Sequence, residues 1–211
     1  MRLALILFLL AAVIPVFFGK ARAAPLWLGL QGIALGWSGL VQHESISSHA
    51  VLAAIETIAV RALIVPMLLR RAIGLRDEAN VDLMPSNLFV WTIGVALIVL
   101  AFEFTGAAMA DVGTFALGVV GATVAIALLL LATNDSPLAQ LVAVLYMENA
   151  IAVFESLLPE PWPLPVHGAL TVVYLATVGV GSWLIGTPHP APAKVNGSAP
   201  TSAAPVPGDA S

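Results

Sequence analysis

Seven apolar stretches separated by short polar breaks leave this 211-residue chain few ways to fold. They run Leu3–Gly19, Leu26–Val41, His49–Leu69, Asn87–Thr105, Val112–Thr133, Pro137–Leu158 and Val166–Gly186. A helix rises about 1.5 Å per residue, so roughly 20 apolar residues cross the ~30 Å hydrocarbon layer of a bilayer. Composition closes the alternative: 60% of residues are hydrophobic and 9% charged, with a mean hydropathy of +1.00. A soluble domain carries about 25% charged residues, and no soluble core of this size hides so much apolar surface. The expected fold is an all-α, polytopic membrane bundle of seven helices over residues 1–186. The second stretch is short and rich in glycine (Gly29, Gly32, Gly36, Gly39), which predicts tilt or close packing against a neighbour. Residues 187–211 are mostly Pro, Ala, Ser and Gly, and are predicted to be a disordered cytoplasmic tail.

The placement of the few basic residues sets the direction. Lys20 and Arg22 follow the first stretch, Arg70, Arg71 and Arg76 the third, and Lys194 the seventh. With seven crossings these share one side. The opposite loops, "QHESISS", "GAAMAD" and "PEPWPLP", carry no Lys or Arg. The positive-inside rule then predicts the N-terminus outside and the C-terminus in the cytoplasm, with only the terminal Arg2 against the pattern. The first stretch followed by "ARAAP" also has the form of a signal peptide with an A-x-A site. Cleavage after Ala23 would put Arg70, Arg71 and Arg76 outside, so the retained segment is the reading that agrees with the charges.

Once loop charges are set aside, few ionisable groups remain at membrane depth. Arg61 lies twelve residues into the third stretch and Glu148 eleven into the sixth, so both fall near the midplane. Glu56 precedes Arg61 by about one and a half turns, and Glu155 follows Glu148 by two turns on the same face. Glu103 sits near the outer end of the fourth stretch, while His43, Glu44 and His49 cluster outside the second and third. The plain reading of Glu103, His43 and Glu44 is hydration at the interface. For His49 it is capping, and for Glu155 contact with outer water. Arg61 and Glu148 also suit a static ion pair holding two helices in register. The functional reading is strongest for Glu148: intramembrane acids are rare and tend to mark ion or proton pathways. A carboxyl can be poised between burial and a neighbouring cation, whereas a guanidinium stays charged. Arg61 then sets the field and Glu148 carries the proton.

Other chemistry finds little footing. The sequence has no cysteine, which excludes disulfides, thiolate ligation of clusters and cysteine catalysis by this chain. It shows no metal-ligand spacing, phosphate-cradling loop, Ser/His/Asp set or basic nucleic-acid strip. No cofactor and no catalytic residue are expected.

Two segments carry a family resemblance. "VAVLYMENAIAVFESLLP" resembles the MEN-containing helix of the hydrogenase-4 component E (HyfE) family, whose C-terminal part is similar to the complex I subunit NuoK. "IETIAVRALIVPMLLRRAIG" resembles the same family's proline-containing helix that ends in basic residues. Arg61 stands where the family usually has Lys, Pro66 matches its proline, and Glu148 falls on its middle-helix glutamate. The resemblance covers roughly residues 26–186, with about 137–186 NuoK-like. The chain departs from the family in the last helix, "PLPVHGALTVVYLATVGV". There His167 falls near one acidic position, Val173 near the other, and Tyr174 is next to it.

The resemblance implies a cofactor-free accessory subunit in the bacterial cytoplasmic (inner) membrane, part of a complex I-like, hydrogenase-4-type respiratory assembly. The implied partners are antiporter-like membrane subunits and a [NiFe]-hydrogenase-like or complex I-like peripheral arm. The candidate proton pathway comprises Glu148, Arg61, Glu56, Glu155 and Glu103, with His167, Tyr174 and Asn149 as further candidates. The rival readings are a purely structural membrane scaffold and an independent small transporter.

Overall fold

The computed structural model describes residues 1–42, 48–74, 82–84, 87–106, 111–158 and 164–186. His43, Glu44, Arg76 and the tail 187–211 lie outside the described residues, as do the side chains of His49 and His167. The described secondary structure is helical, with a single isolated β-bridge and no strand. The helices are α1 (Arg2–Phe18), α2 (Ala24–Gln42), α3 (Ser48–Thr57), α4 (Val65–Ile73), α5 (Leu88–Phe104), α6 (Val112–Thr133), α7 (Pro137–Ser156) and α8 (Leu164–Gly186). A 3₁₀ turn over Ala21–Ala23 leads into α2, and a π-helical turn over Ile58–Ile64 joins α3 to α4. Five spans, including the continuous α3–π–α4 rod, are long and apolar enough to cross a membrane. The apolar helices α1 and α5 are shorter, at 17 residues each.

The breaks have local causes. Asn87 caps α5 by accepting from the Phe89 N–H at 2.9 Å, and Asp111 caps α6 by accepting from the Thr114 N–H at 2.8 Å. Pro137 opens α7, where a missing N–H costs nothing. Within α6, Thr123 and Thr133 return their hydroxyls to Val119 and Leu129 carbonyls at 2.8 Å, so both are satisfied inside their own helix.

The third apolar stretch is not the uniform α-helix its hydropathy predicts. Pro66 has no N–H to offer and its ring crowds the carbonyl one turn back. Directly before it the backbone widens, and the Val65 N–H reaches the Val60 carbonyl, five residues away. The glycine-rich α2 begins at Ala24 and is a full 19 residues. It lies against this π turn. A Cβ on Gly32 would stand 2.8 Å from the Ala62 nitrogen and the Arg61 carbonyl carbon, and one on Gly36 2.6 Å from Ile58 Cγ1. Small residues here let two backbones approach closely, as helix association in lipid favours.

α2, α6 and α7 form the well-buried centre. α6 packs between α7, α5 and α1, and α2 between α1, the α3–π–α4 rod and α7. α8 leans on α4 and α7, and a Cβ on Gly181 would meet Leu141 at 2.7 Å. The main core draws on α1, α2, α4, α6, α7 and α8, and its large side chains include Leu28, Leu69, Ile126, Leu130, Leu145, Tyr146 and Tyr174. The α3–π–α4 rod and α8 sit at the rim, mostly exposed.

Three connections meet at one end of the bundle. The backbones of Lys20 and Asp82 form an isolated antiparallel β-bridge, the Leu83 N–H donates to the Gly19 carbonyl, and Asn134 Nδ2 donates to the Leu83 carbonyl at 2.8 Å. Phe17 and Phe18 both meet Trp91 edge-on at this end, with ring centroids 5.6 and 5.3 Å away. The connections after the first, third and fifth apolar segments are therefore neighbours, as alternate crossings require. They bring Lys20 and Arg22 to the end from which Arg70 and Arg71 also project.

Candidate functional site: a buried polar cluster across four helices

Arg61 occupies the middle of the π turn, and its guanidinium reaches inward toward α7. Nη1 donates to Asn149 Oδ1. Asn149 is fully buried and passes the connection on, its Nδ2 donating to Gln31 Oε1 on α2 at 2.8 Å. The guanidinium carbon also lies 4.2 Å from the centroid of the Tyr174 ring on α8, a cation–π contact. Four elements thus converge on one positive charge.

Glu148 is next along α7 and points a third of a turn away from Asn149. It is half-buried. Its Oε1 accepts from the Thr177 hydroxyl on α8 at 3.2 Å, while its Oε2 is buried with no partner. Arg61 and Glu148, expected to meet directly or through one water, share no direct hydrogen bond or ion pair. Among the described residues the guanidinium donates to Asn149, and the carboxyl takes Thr177. Sequence depth placed the two groups on one level, but the rotation of α7 turns the amide rather than the acid toward Arg61.

Other buried polar atoms lack partners nearby: Gln31 Nε2 and the Tyr174 hydroxyl within the cluster, and the Tyr146 hydroxyl elsewhere on α7. Buried polar groups of native proteins are nearly always satisfied, by ordered water where protein atoms are lacking.

The remaining candidates fall outside this cluster. Glu56 on α3 and Glu103 at the end of α5 are exposed on the bundle surface, and among the described residues no hydrogen bond or ion pair joins either to Arg61 or Glu148. Glu155 lies half-buried near the C-terminal end of α7. Val173 is exposed, whereas Tyr174 beside it is turned fully inward. Gln31 and Thr177 are cluster members that sequence reasoning passed over. Gln31 did leave a signal: an uncharged amide inside an apolar, glycine-rich helix is costly unless a partner meets it.

Among the described residues no group of three or more His, Asp or Glu side chains is placed to hold a metal ion. No protein-family model, no curated relative and no solved structure matches the chain.

Proposed function

We propose that this chain is a non-catalytic accessory subunit of a complex I-like, hydrogenase-4-type assembly in a bacterial inner membrane, where Glu148 exchanges protons along a buried polar axis. The N-terminus faces outward and the C-terminus the cytoplasm, with seven crossings. Antiporter-like membrane subunits flank the chain, and a hydrogenase-like or complex I-like arm supplies the redox chemistry. The observation that carries the reading is the state of the Glu148 carboxyl: one oxygen held by Thr177, the other buried and open, with a fixed cation close by on Asn149. An acid kept out of a direct ion pair remains free to gain and lose a proton, which a tightly paired carboxylate does not do readily.

The scaffold reading has one observation in its favour. The chain from Arg61 through Asn149 to Gln31 ties α2, the π turn and α7 together and is a sound static brace on its own. Purification of the tagged chain in mild detergent tests the assembly. Recovery with antiporter-like and hydrogenase-like subunits supports the reading, and recovery as a homo-oligomer alone overturns it in favour of an independent transporter.

A further inference from the structure

Glu56 is an exposed carboxyl on the rim of the bundle, and its depth is set by the basic residues on the same rod. Arg70 and Arg71 end α4 and mark the inner boundary of the hydrocarbon layer. Glu56 lies fourteen residues earlier, about 20 Å up the rod, in a layer about 30 Å thick. That leaves it roughly two turns inside the outer boundary, farther than a short glutamate side chain reaches. Its neighbours on the rod are exposed apolar residues: Leu52, Ile55 and Leu63 are each more than half exposed. Among the described residues nothing pairs with Glu56. Lipid tails make a poor environment for such a group, and intramembrane acids normally meet a cation or a polar cavity. The rod that carries it is thinly covered, as α5 and α8 also are.

We propose that the face of α3 around Glu56 is an interface with a transmembrane helix of another subunit, and that this helix places a Lys or Arg against Glu56. The partner's flanking side chains are apolar and cover Leu52, Ile55 and Leu63. The inference rests on the chain being one subunit of a larger membrane assembly, and is independent of whether Glu148 moves protons. A cation is the occupant that the charge demands: it satisfies the carboxylate and gives the two helices one register and depth, as a lone polar position does in other helix pairs.

The test places a photo-reactive residue at Leu52 or Leu63 in the full chain, in its native membrane, and identifies the adducts by mass spectrometry. The same probe at Val99, exposed on α5, serves as the control surface. The expected adduct at Leu52 and Leu63 is a transmembrane segment of a different protein with a Lys or Arg within two turns of the linked residue. Glu56→Leu is the discriminating variant, since leucine suits lipid better than glutamate and leaves the fold intact. Against lipid it keeps or improves the yield of the chain and changes no adduct. At the proposed interface it lowers adduct yield at least tenfold, and Glu56→Lys lowers it as far until the partner's basic residue is changed to Glu. Adducts to lipid alone, to a second copy of this chain, or to a segment without Lys or Arg overturn the proposal, as does unchanged linking in Glu56→Leu. Protein adducts at Val99 but none on α3 reject this interface while leaving the subunit reading standing. Protein adducts at no position reject both.

Discussion

Asn149 is the residue on which the polar cluster turns. It accepts from a charged guanidinium and donates to Gln31, so its removal strands a cation and an amide together. Leaving a buried group unpaired costs about 1–3 kcal/mol, and more when the group is charged. Asn149→Leu is therefore expected to destabilise the purified protein by roughly 2–4 kcal/mol. Gln31→Leu strands only the Asn149 amide and should cost about 1–2 kcal/mol. Thermal unfolding in detergent reads both, and equal losses would remove Asn149 from its central place. Part of this was legible in the sequence. The shared depth of Arg61 and Glu148 follows from counting residues, but the rotation that offers Asn149 instead of Glu148 does not. Neighbouring residues on a helix differ by about 100° in direction, and the π turn shifts the phase of Arg61 again. At the N-terminus of α6, Asp111 makes a second, separable prediction. The Thr114 N–H that it accepts holds its carboxyl below the ordinary carboxylate range. A depressed folded value means that the stabilisation is fully present above the unfolded pKa of about 3.9 and fades as pH falls through the folded one. Asp111→Asn keeps a capping oxygen without the titration. Stability of the wild type relative to Asp111→Asn should be flat from pH 6 to 8 and should fall below about pH 4.

The element most at odds with simple hydropathy is the rod of α3, the π turn and α4. Its ends were readable to within a few residues: the rod was expected to stop at Leu69 and runs on through Arg70 and Arg71 to Ile73. The widened turn was not, because apolar periodicity does not distinguish a helix with one extra residue from a regular one. Pro66 was the available hint, since a proline inside an apolar helix demands a local adjustment of the hydrogen bonding. The packing of α2 explains why that helix is rich in glycine. Gly32 faces backbone atoms of Arg61 and Ala62, which cannot swing aside as a flexible side chain does. Gly32→Ala should therefore separate α2 from the π turn and cost about 1–3 kcal/mol, with the Arg61 to Gln31 connection loosened. Gly39 on the same helix has nothing within 4 Å of a new Cβ, so Gly39→Ala should be neutral or stabilise by up to about 1 kcal/mol. Parallel unfolding midpoints for the two variants check the pair. Equal effects would mean that the close approach at Gly32 does not hold the helices together.

The arrangement of the whole bundle agrees with the apolar pattern because hydrocarbon leaves little freedom. Every backbone polar group must be satisfied within its own helix, so stretches bounded by polar breaks become helices with nearly those bounds. Which helices lie at the centre was less accessible: α7 and α8 are similarly apolar, yet α7 is well buried and α8 is not. Orientation depends on the positive residues gathered at the end where Lys20 meets Asp82. A reporter fused after Ser211 is expected to be active in its cytoplasmic form only, and activity restricted to the periplasmic form would reverse the assignment. The proposed passage of protons through Glu148 is open to direct measurement. The direct measurement is proton uptake by vesicles containing the intact assembly, compared between wild type and Glu148→Gln at equal assembly. Glutamine preserves the size of the side chain and can still accept from Thr177, but it does not titrate. The redox reaction of the assembly is expected to continue while proton uptake falls at least tenfold, with partial recovery in Glu148→Asp. Undiminished uptake in Glu148→Gln would contradict it and leave Glu148 as a helix anchor.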